Sequence, residues 1–120
     1  MLLDAHYPQL VNGVIPVEKI HGPLLLVCGT MDRIWPSCGF TAAIQARLRA
    51  HHFRYPVTAL TVPNAGHAAG GMEAYYSATA AAYDQPFSAY YTVLGGTLEA
   101  NKQGEAKGHA ALLKFLQAQR

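Results

Sequence analysis

Residues 22–30 of the chain read Gly-Pro-Leu-Leu-Leu-Val-Cys-Gly-Thr, and this stretch decides the fold. The apolar run from Leu24 to Cys28 is bounded by Pro23 and by the turn-forming pair Gly29-Thr30, which predicts a short strand that ends in a turn. Because no polar residue alternates with the apolar ones, the run is typical of a parallel strand that is covered on both faces.

Two helices and a second strand are predicted after this strand. Ser37 is a candidate N-cap for a helix over about 38–52, whose apolar face carries Phe40, Ala43, Ile44 and Leu48. The β-branched run from Val57 to Val62 predicts a second strand, which stops at a turn signal in residues 63–66. No single period fits residues 70–97, and a closing helix is predicted over about 104–119. Its predicted apolar stripe consists of Ala106, Ala110, Leu113 and Leu116, broadened by Phe115.

The order strand, helix, strand, helix predicts an α/β fold with a few parallel strands and flanking helices. Two strands leave both edges of a sheet open, which is a liability for an isolated domain. At 120 residues the chain has room for one domain at most. We therefore expect residues 1–120 to be a single partial domain of a larger unit, prone to aggregate or dimerise through its open strand edge.

Composition and charge exclude several classes of protein. The net charge is only +2, and no Lys/Arg cluster provides the basic surface that nucleic-acid binding needs. The first ten residues lack the pattern of a secretory signal, and no apolar run is long enough to cross a membrane. Cys28 and Cys38 are too few for a disulfide framework and match no zinc motif. These features predict a cytoplasmic protein with free thiols that binds neither nucleic acid nor membrane.

One candidate catalytic residue follows each predicted strand. Asp32 comes shortly after the first strand, and His67 comes after the second. In open α/β sheets, functional side chains converge at the carboxyl ends of strands, so the two residues are placed to hydrogen-bond. The carboxylate would then fix the imidazole tautomer and leave the other ring nitrogen free to act as a general base. The alternative is that Asp32 caps its own turn and His67 is an ordinary loop histidine.

Four segments carry a resemblance to a known family. They are Ile15-Pro16-Val17-Glu18, Trp35-Pro36-Ser37, Asn64-Ala65-Gly66-His67 and Gly95-Gly96-Thr97. The sequence resembles the C-terminal domain of the acyl-CoA thioesterase and bile acid-CoA:amino acid N-acyltransferase family, whose members are α/β-hydrolases. Asp32 followed by His67 also matches the chain order of acid and base in α/β-hydrolases. The resemblance implies the C-terminal part of an α/β-hydrolase fold, with Asp32 and His67 as the acid and base of a catalytic triad.

The nucleophile that such a triad requires is missing from the sequence. It would lie on a Gly-x-Ser-x-Gly or Gly-x-Cys-x-Gly elbow upstream of the acid. The serine and cysteine residues without these flanks are Ser37, Ser77, Ser88, Cys28 and Cys38. Cys38 is a conceivable substitute because it lies at a predicted helix start, but it follows the turn of the acid, and a small helix-start residue is the simpler interpretation. The chain is therefore expected to be inactive alone.

The resemblance implies acyl transfer from a coenzyme A thioester to water or to an amine, without a metal or organic cofactor. Two alternatives stay open. The chain could be a non-catalytic remnant or pairing module, from a truncated or split gene, that binds a missing N-terminal half or a second copy. It could also be a fragment of a hydrolase of the dienelactone-hydrolase or peptidase type, because the spacing around Asp32 and His67 is shared with those enzymes.

Overall fold

The computed structural model describes residues 14–70 and 94–120, which form a small α/β unit. Strand β1 spans Leu24–Gly29, helix α1 spans Ser37–Ala50, strand β2 spans Val57–Val62 and helix α2 spans Leu98–Gln117. Two short 3-10 helices cover Val17–Lys19 and His67–Gly70. The tyrosine-rich part of the stretch without a single period lies outside the described residues.

Strands β1 and β2 lie side by side in parallel, as the sequence predicts. The register runs from Leu24 opposite Val57 to Gly29 opposite Val62. Helix α1 forms the crossover connection that a parallel pair requires. Residues 24–27 remain partly exposed, whereas the carboxyl end of β1 is buried. Within the described residues, the cover that the sequence predicts on both faces of β1 is therefore complete only at that end.

The hydrophobic core lies beneath the carboxyl end of the sheet. It consists of Val62, Ala65, Ala69 and Ala100, with the partly buried Leu60 packed against it. Three of the four buried members are alanines, so the elements approach one another closely here. The region that carries the candidate site is therefore stabilised by close packing of backbone segments, and large side chains contribute little to it.

Helix α2 begins at Leu98, earlier than the predicted start near residue 104. Thr97 explains the difference, because its side-chain oxygen caps the helix by accepting a hydrogen bond from the Ala100 N–H at 3.1 Å. The prediction missed the first turns of the helix because residues 101–104, Asn-Lys-Gln-Gly, contain no apolar residue.

The buried face of α2 is made of small residues and not of the predicted stripe. Its buried residues are Ala100, Asn101, Gly104 and Gly108. Leu113 and Leu116 of the predicted stripe are 47% and 53% exposed, so that prediction is wrong. A Cβ atom at Gly104 would lie 3.2 Å from both the Ala69 carbonyl oxygen and a Val62 methyl group. Only small residues fit at this contact, so a prediction based on the spacing of large apolar residues misses the buried face of α2.

Cys28 and Cys38 are joined by a disulfide bond, so the prediction of free thiols is wrong. Cys28 lies at the end of β1 and Cys38 in the first turn of α1, and the intervening turn brings their Cα atoms to 5.1 Å. A count of cysteines cannot reveal this proximity, because it arises from the folded turn. Since both sulfur atoms are bonded, Cys38 is not available as a nucleophile.

Ser37 is the first helical residue of α1 and not its N-cap. Its hydroxyl donates a hydrogen bond to the Gly29 carbonyl at 3.3 Å. This bond joins the start of α1 to the end of β1, so Ser37 helps to close the same turn that the disulfide closes. The predicted capping role is therefore replaced by a contact between two elements.

A bidentate ion pair joins the first 3-10 helix to α1. Arg47 Nε donates to Glu18 Oε2 at 2.5 Å, and Arg47 Nη2 donates to Glu18 Oε1 at 2.8 Å. The hydrogen bonds from Arg47 lower the pKa of Glu18 from 4.5 to about 2. The planar guanidinium matches the carboxylate geometry, which a lysine at this position would not do.

The Glu18–Arg47 pair makes stability depend on pH in a defined direction. Because the pKa of Glu18 is lower in the folded than in the unfolded chain, the pair stabilises the fold above about pH 4.5, and this contribution is lost as the pH falls towards about 2. We therefore expect Glu18→Gln to lower the thermal unfolding midpoint near neutral pH and to flatten its fall in acid. Circular dichroism measures both effects, and Glu105→Gln on α2 is the matched control. Equal pH dependence in the wild type and in Glu18→Gln would contradict this role of the ion pair.

Candidate active site

Asp32 and His67, the two predicted site residues, meet at the carboxyl ends of β1 and β2. Asp32 Oδ2 lies 3.1 Å from His67 Nδ1. The Asp32 side chain is 3% exposed and the His67 side chain is 17% exposed, so the contact is largely shielded from water. The structure thus brings together the two residues that the sequence singles out, although they lie 35 positions apart.

Backbone amides of the loop after β1 hold the Asp32 carboxylate in place. Asp32 Oδ1 accepts hydrogen bonds from the N–H groups of Ile34 at 2.9 Å and Trp35 at 3.3 Å. An aspartate that binds the amides following it forms an Asx-type turn. One carboxylate oxygen therefore organises the loop while the other faces His67. Asp32 therefore caps its own turn and also contacts His67, because Oδ1 binds the turn amides and Oδ2 faces the imidazole.

The surroundings of Asp32 favour its ionised form. Burial alone raises the pKa of this carboxyl, but hydrogen bonds from His67 and from the two loop amides, together with the neighbouring Ser37 hydroxyl, outweigh burial and lower the pKa below its usual 3.8. An ionised carboxylate only accepts hydrogen bonds, so the shared proton belongs on Nδ1 of His67. His67 Nε2 then carries the free lone pair, which is the tautomer that a general base needs.

Trp35 flanks the imidazole of His67. The two rings meet edge to face, with centroids 4.8 Å apart and planes inclined at 77°. Trp35 is nevertheless 51% exposed, and Met31 and Ile34 of the same loop are 52% and 45% exposed. The loop that carries the acid therefore presents apolar surface next to a polar pair. Trp35 belongs to one of the segments that carry the family resemblance. No pattern in the sequence indicates that its ring contacts His67.

A third segment of chain, residues 94–96, connects the two strand ends. Asp32 pairs with Gly95 and Ala65 pairs with Gly96 in single antiparallel bridges. The Met31 N–H also donates directly to the Ala65 carbonyl at 2.8 Å. The loop of the acid and the turn of the histidine are therefore held by the main chain as well as by their side chains.

Only glycine fits where this third segment passes between the two strand ends. Gly95 and Gly96 have φ values of 83° and 80°, in the left-handed region that favours glycine. A Cβ atom at Gly95 would overlap the Met31 carbonyl oxygen and lie 2.7 Å from Arg33 Cγ. The sequence used this pair of glycines only as a match to the family, and the structure shows why no larger residue fits.

Asn101 was missed by sequence reasoning although it is bonded to the turn of the histidine. It is 1% exposed. Its Oδ1 accepts a hydrogen bond from the Gly66 N–H at 2.7 Å, and its Nδ2 donates to the Gly95 carbonyl at 3.2 Å. The available signal was a polar residue on the buried face of α2, but that signal can be read only once the helix start and the buried face are known.

No metal site is formed among residues 14–70 and 94–120, where no three His, Cys, Asp or Glu side chains cluster. In the same part of the chain, no helix is both long and apolar enough to cross a membrane.

Ser37 contacts the acid and the Gly29 carbonyl, and the disulfide occupies both cysteines. Ser77 and Ser88 lie outside the described residues.

Comparisons with known proteins identify the family. The family described as "BAAT / Acyl-CoA thioester hydrolase C terminal" matches residues 4–119. The peroxisomal succinyl-coenzyme A thioesterase of Mus musculus is 40% identical over 55 residues, which make up 46% of this chain and 13% of that protein. No solved structure matches the chain. The resemblance noted in the sequence is confirmed, and the chain belongs to the BAAT / acyl-CoA thioester hydrolase C-terminal family.

Proposed function

We propose that this chain supplies the general base and the orienting acid of an acyl-transfer site for coenzyme A thioesters. The observation that carries the proposal is the hydrogen bond of 3.1 Å between Asp32 Oδ2 and His67 Nδ1. The family match supports the substrate class, since its description names acyl-CoA thioesters. In this proposal, β1 and β2 are strands of a larger α/β-hydrolase sheet, and the nucleophile lies on another part of that sheet.

The first half of the proposed reaction transfers the acyl group to the nucleophile. A serine hydroxyl or cysteine thiol from outside this chain attacks the thioester carbonyl, and His67 Nε2 accepts its proton. The imidazolium then returns this proton to the sulfur of coenzyme A as the carbon–sulfur bond breaks. Asp32 stays ionised throughout, and it stabilises the imidazolium through Nδ1.

The second half releases the acyl group to an acceptor. Water or an amine attacks the acyl-enzyme, and His67 Nε2 moves a proton from the acceptor to the departing nucleophile. This chemistry relies on the three side chains and on backbone donors to the oxyanion, so it requires no organic cofactor. The mouse relative is named for succinyl-coenzyme A and for the peroxisome, which makes that thioester the first substrate to test. A cytoplasmic location for this chain stays a prediction from its composition.

A second candidate function is that of a non-catalytic pairing module. It is favoured by the outer edge of β1, which has no strand partner in the described part of the chain. An apolar groove also lies between β1 and α2, lined by Pro23, Leu24, Leu25, Val27, Gly108, Leu112 and Phe115. A paired strand and helix would cover both the edge and the groove. The family match favours thioester chemistry over the ester or peptide substrates of the dienelactone-hydrolase and peptidase alternative.

A fusion protein tests the proposed catalytic role. The part of the mouse thioesterase that precedes its match to this chain is joined to the full chain, and thiol release from succinyl-coenzyme A is measured. We expect hydrolysis by the fusion and a fall in kcat of about 10⁴- to 10⁶-fold in His67→Ala, the scale seen when catalytic triads are dismantled.

His109→Ala is the matched control, because it removes an exposed histidine from α2 and should leave the rate unchanged. Hydrolysis that persists in His67→Ala would contradict the proposal. A folded fusion without any activity would also contradict it and would favour the pairing module.

Asp32→Asn tests the electrostatic part of the proposal. The amide keeps an oxygen for the two loop N–H groups but loses the charge that faces His67, a hydrogen bond worth about 1.5–3 kcal/mol. Because the pKa of Asp32 is lowered on folding, its stabilising effect is present above about pH 4 and is lost as the pH falls below 3.8.

We therefore expect wild type to exceed Asp32→Asn in free energy of unfolding at neutral pH, with the difference shrinking in acid. Urea unfolding over a pH series measures this difference. A difference that does not depend on pH would show that the carboxylate charge has no part in the contact.

A further inference from the structure

We propose that Asn101 is a positioning residue for His67, a role that rests on the function proposed above for His67. Asn101 does not touch the imidazole. It acts on the backbone that carries the histidine, because its Oδ1 accepts the N–H of Gly66, the residue immediately before His67. Its Nδ2 holds the Gly95 carbonyl, in the segment that pairs with Asp32. One buried amide thus links the backbone of the base to that of the acid.

The burial of Asn101 shows that its polarity serves these two bonds. Its neighbours on the buried face of α2 are Ala100, Gly104 and Gly108. At 1% exposure a side-chain amide costs free energy unless its hydrogen bonds are made, whereas an apolar residue would carry no such cost. Both of its polar atoms have partners at 2.7 Å and 3.2 Å. The amide therefore bonds through both its oxygen and its nitrogen to the two segments that hold the candidate site.

Asn101 holds the turn at a point that the sheet does not reach, beside the Ala65 carbonyl that accepts the Met31 N–H at 2.8 Å. Strand β2 ends at Val62, so the Gly66 N–H lies beyond the ladder of the sheet. The turn is also closely packed at Gly66, because a Cβ atom there would overlap the Gly95 carbonyl oxygen. The Gly66 N–H belongs to the peptide group between Ala65 and Gly66, whose orientation sets the direction in which the chain continues to His67. Asn101 and the Met31 N–H therefore hold the two ends of this peptide group together, and Asn101 is the side chain that contributes to setting the imidazole against Asp32.

Asn101 is itself held in place by the start of α2. Its backbone N–H donates to the Thr97 carbonyl at 2.9 Å, and Thr97 caps the helix through Ala100. The Thr97 N–H in turn donates to the Asn64 carbonyl at 3.1 Å, in the turn that precedes His67. The first turn of α2 is therefore a rigid support from which the Asn101 side chain reaches the site.

Two substitutions of Asn101 are expected to have opposite effects on the position of His67. Asn101→Leu keeps the size of the side chain and removes both hydrogen bonds, whereas Asn101→Asp keeps an acceptor for the Gly66 N–H. The readout is nuclear magnetic resonance of the full chain with ¹⁵N-labelled histidine. It reports the Nδ1-protonated tautomer of His67 and the low-field proton that Nδ1 shares with Asp32.

We expect the wild type and Asn101→Asp to show this signature and a folded Asn101→Leu to lose it. Leu48→Ala is the structural control, because Leu48 is 2% exposed in α1 and belongs to none of the contacts around His67. This control should lower the unfolding midpoint and leave the His67 signature intact. In the active fusion, Asn101→Leu should lower kcat by about 10²-fold without changing KM, the scale of a small misplacement of a reacting group.

Retention of the His67 signature in folded Asn101→Leu would overturn the inference, and so would its loss in folded Asn101→Asp. If Asn101→Leu does not fold, Asn101→Asp decides alone. If neither folds, Asn101 is a core residue and the positioning role is wrong. The resonance measurement needs no substrate and no nucleophile. An inactive fusion with the expected His67 signatures would therefore refute the proposed function and leave the positioning role supported.

Discussion

Close contact between backbone segments is the constraint on which the candidate site depends. The end of β1, the turn after β2 and residues 94–96 approach one another so closely that a Cβ atom at Gly29, Gly66 or Gly95 would overlap a neighbouring carbonyl group. Glycine at these points allows the main chains to exchange hydrogen bonds directly. The Asp32–His67 contact follows from this arrangement, because each side chain stands on a segment that the other two hold.

The same constraint explains the character of the core. Alanines and glycines fill the space between β2, the second 3-10 helix and the start of α2, where larger side chains would separate the backbones. Further along α2, the large apolar side chains of Leu112, Leu113 and Leu116 are about half exposed. The described residues therefore divide into a tightly packed region around Asp32 and His67 and an apolar surface beside the open edge of β1.

The sequence predicts the two strands and the proximity of Asp32 to His67 because both have local signals. The run Leu24–Cys28 and the run Val57–Val62 are short, apolar or β-branched, and bounded by Pro and Gly, and Asp32 and His67 follow them directly. The disulfide, the buried face of α2 and the role of Asn101 could not be predicted in this way. Each depends on which distant residues become neighbours, and small buried residues carry no hydrophobic signal to indicate that.

The contacts among the three backbone segments imply that Asp32 and His67 are held in place by the described residues of this chain alone. Amide hydrogen exchange of the purified chain is the measurement to make, at the Met31 and Arg33 N–H groups that join the three segments and at the Gly66 N–H that bonds Asn101. We expect these three amides to exchange at least about 100-fold more slowly than in an unstructured peptide, as the paired residues of β1 and β2 do. Exchange of these three amides at unstructured rates, while β1 and β2 stay protected, would contradict it.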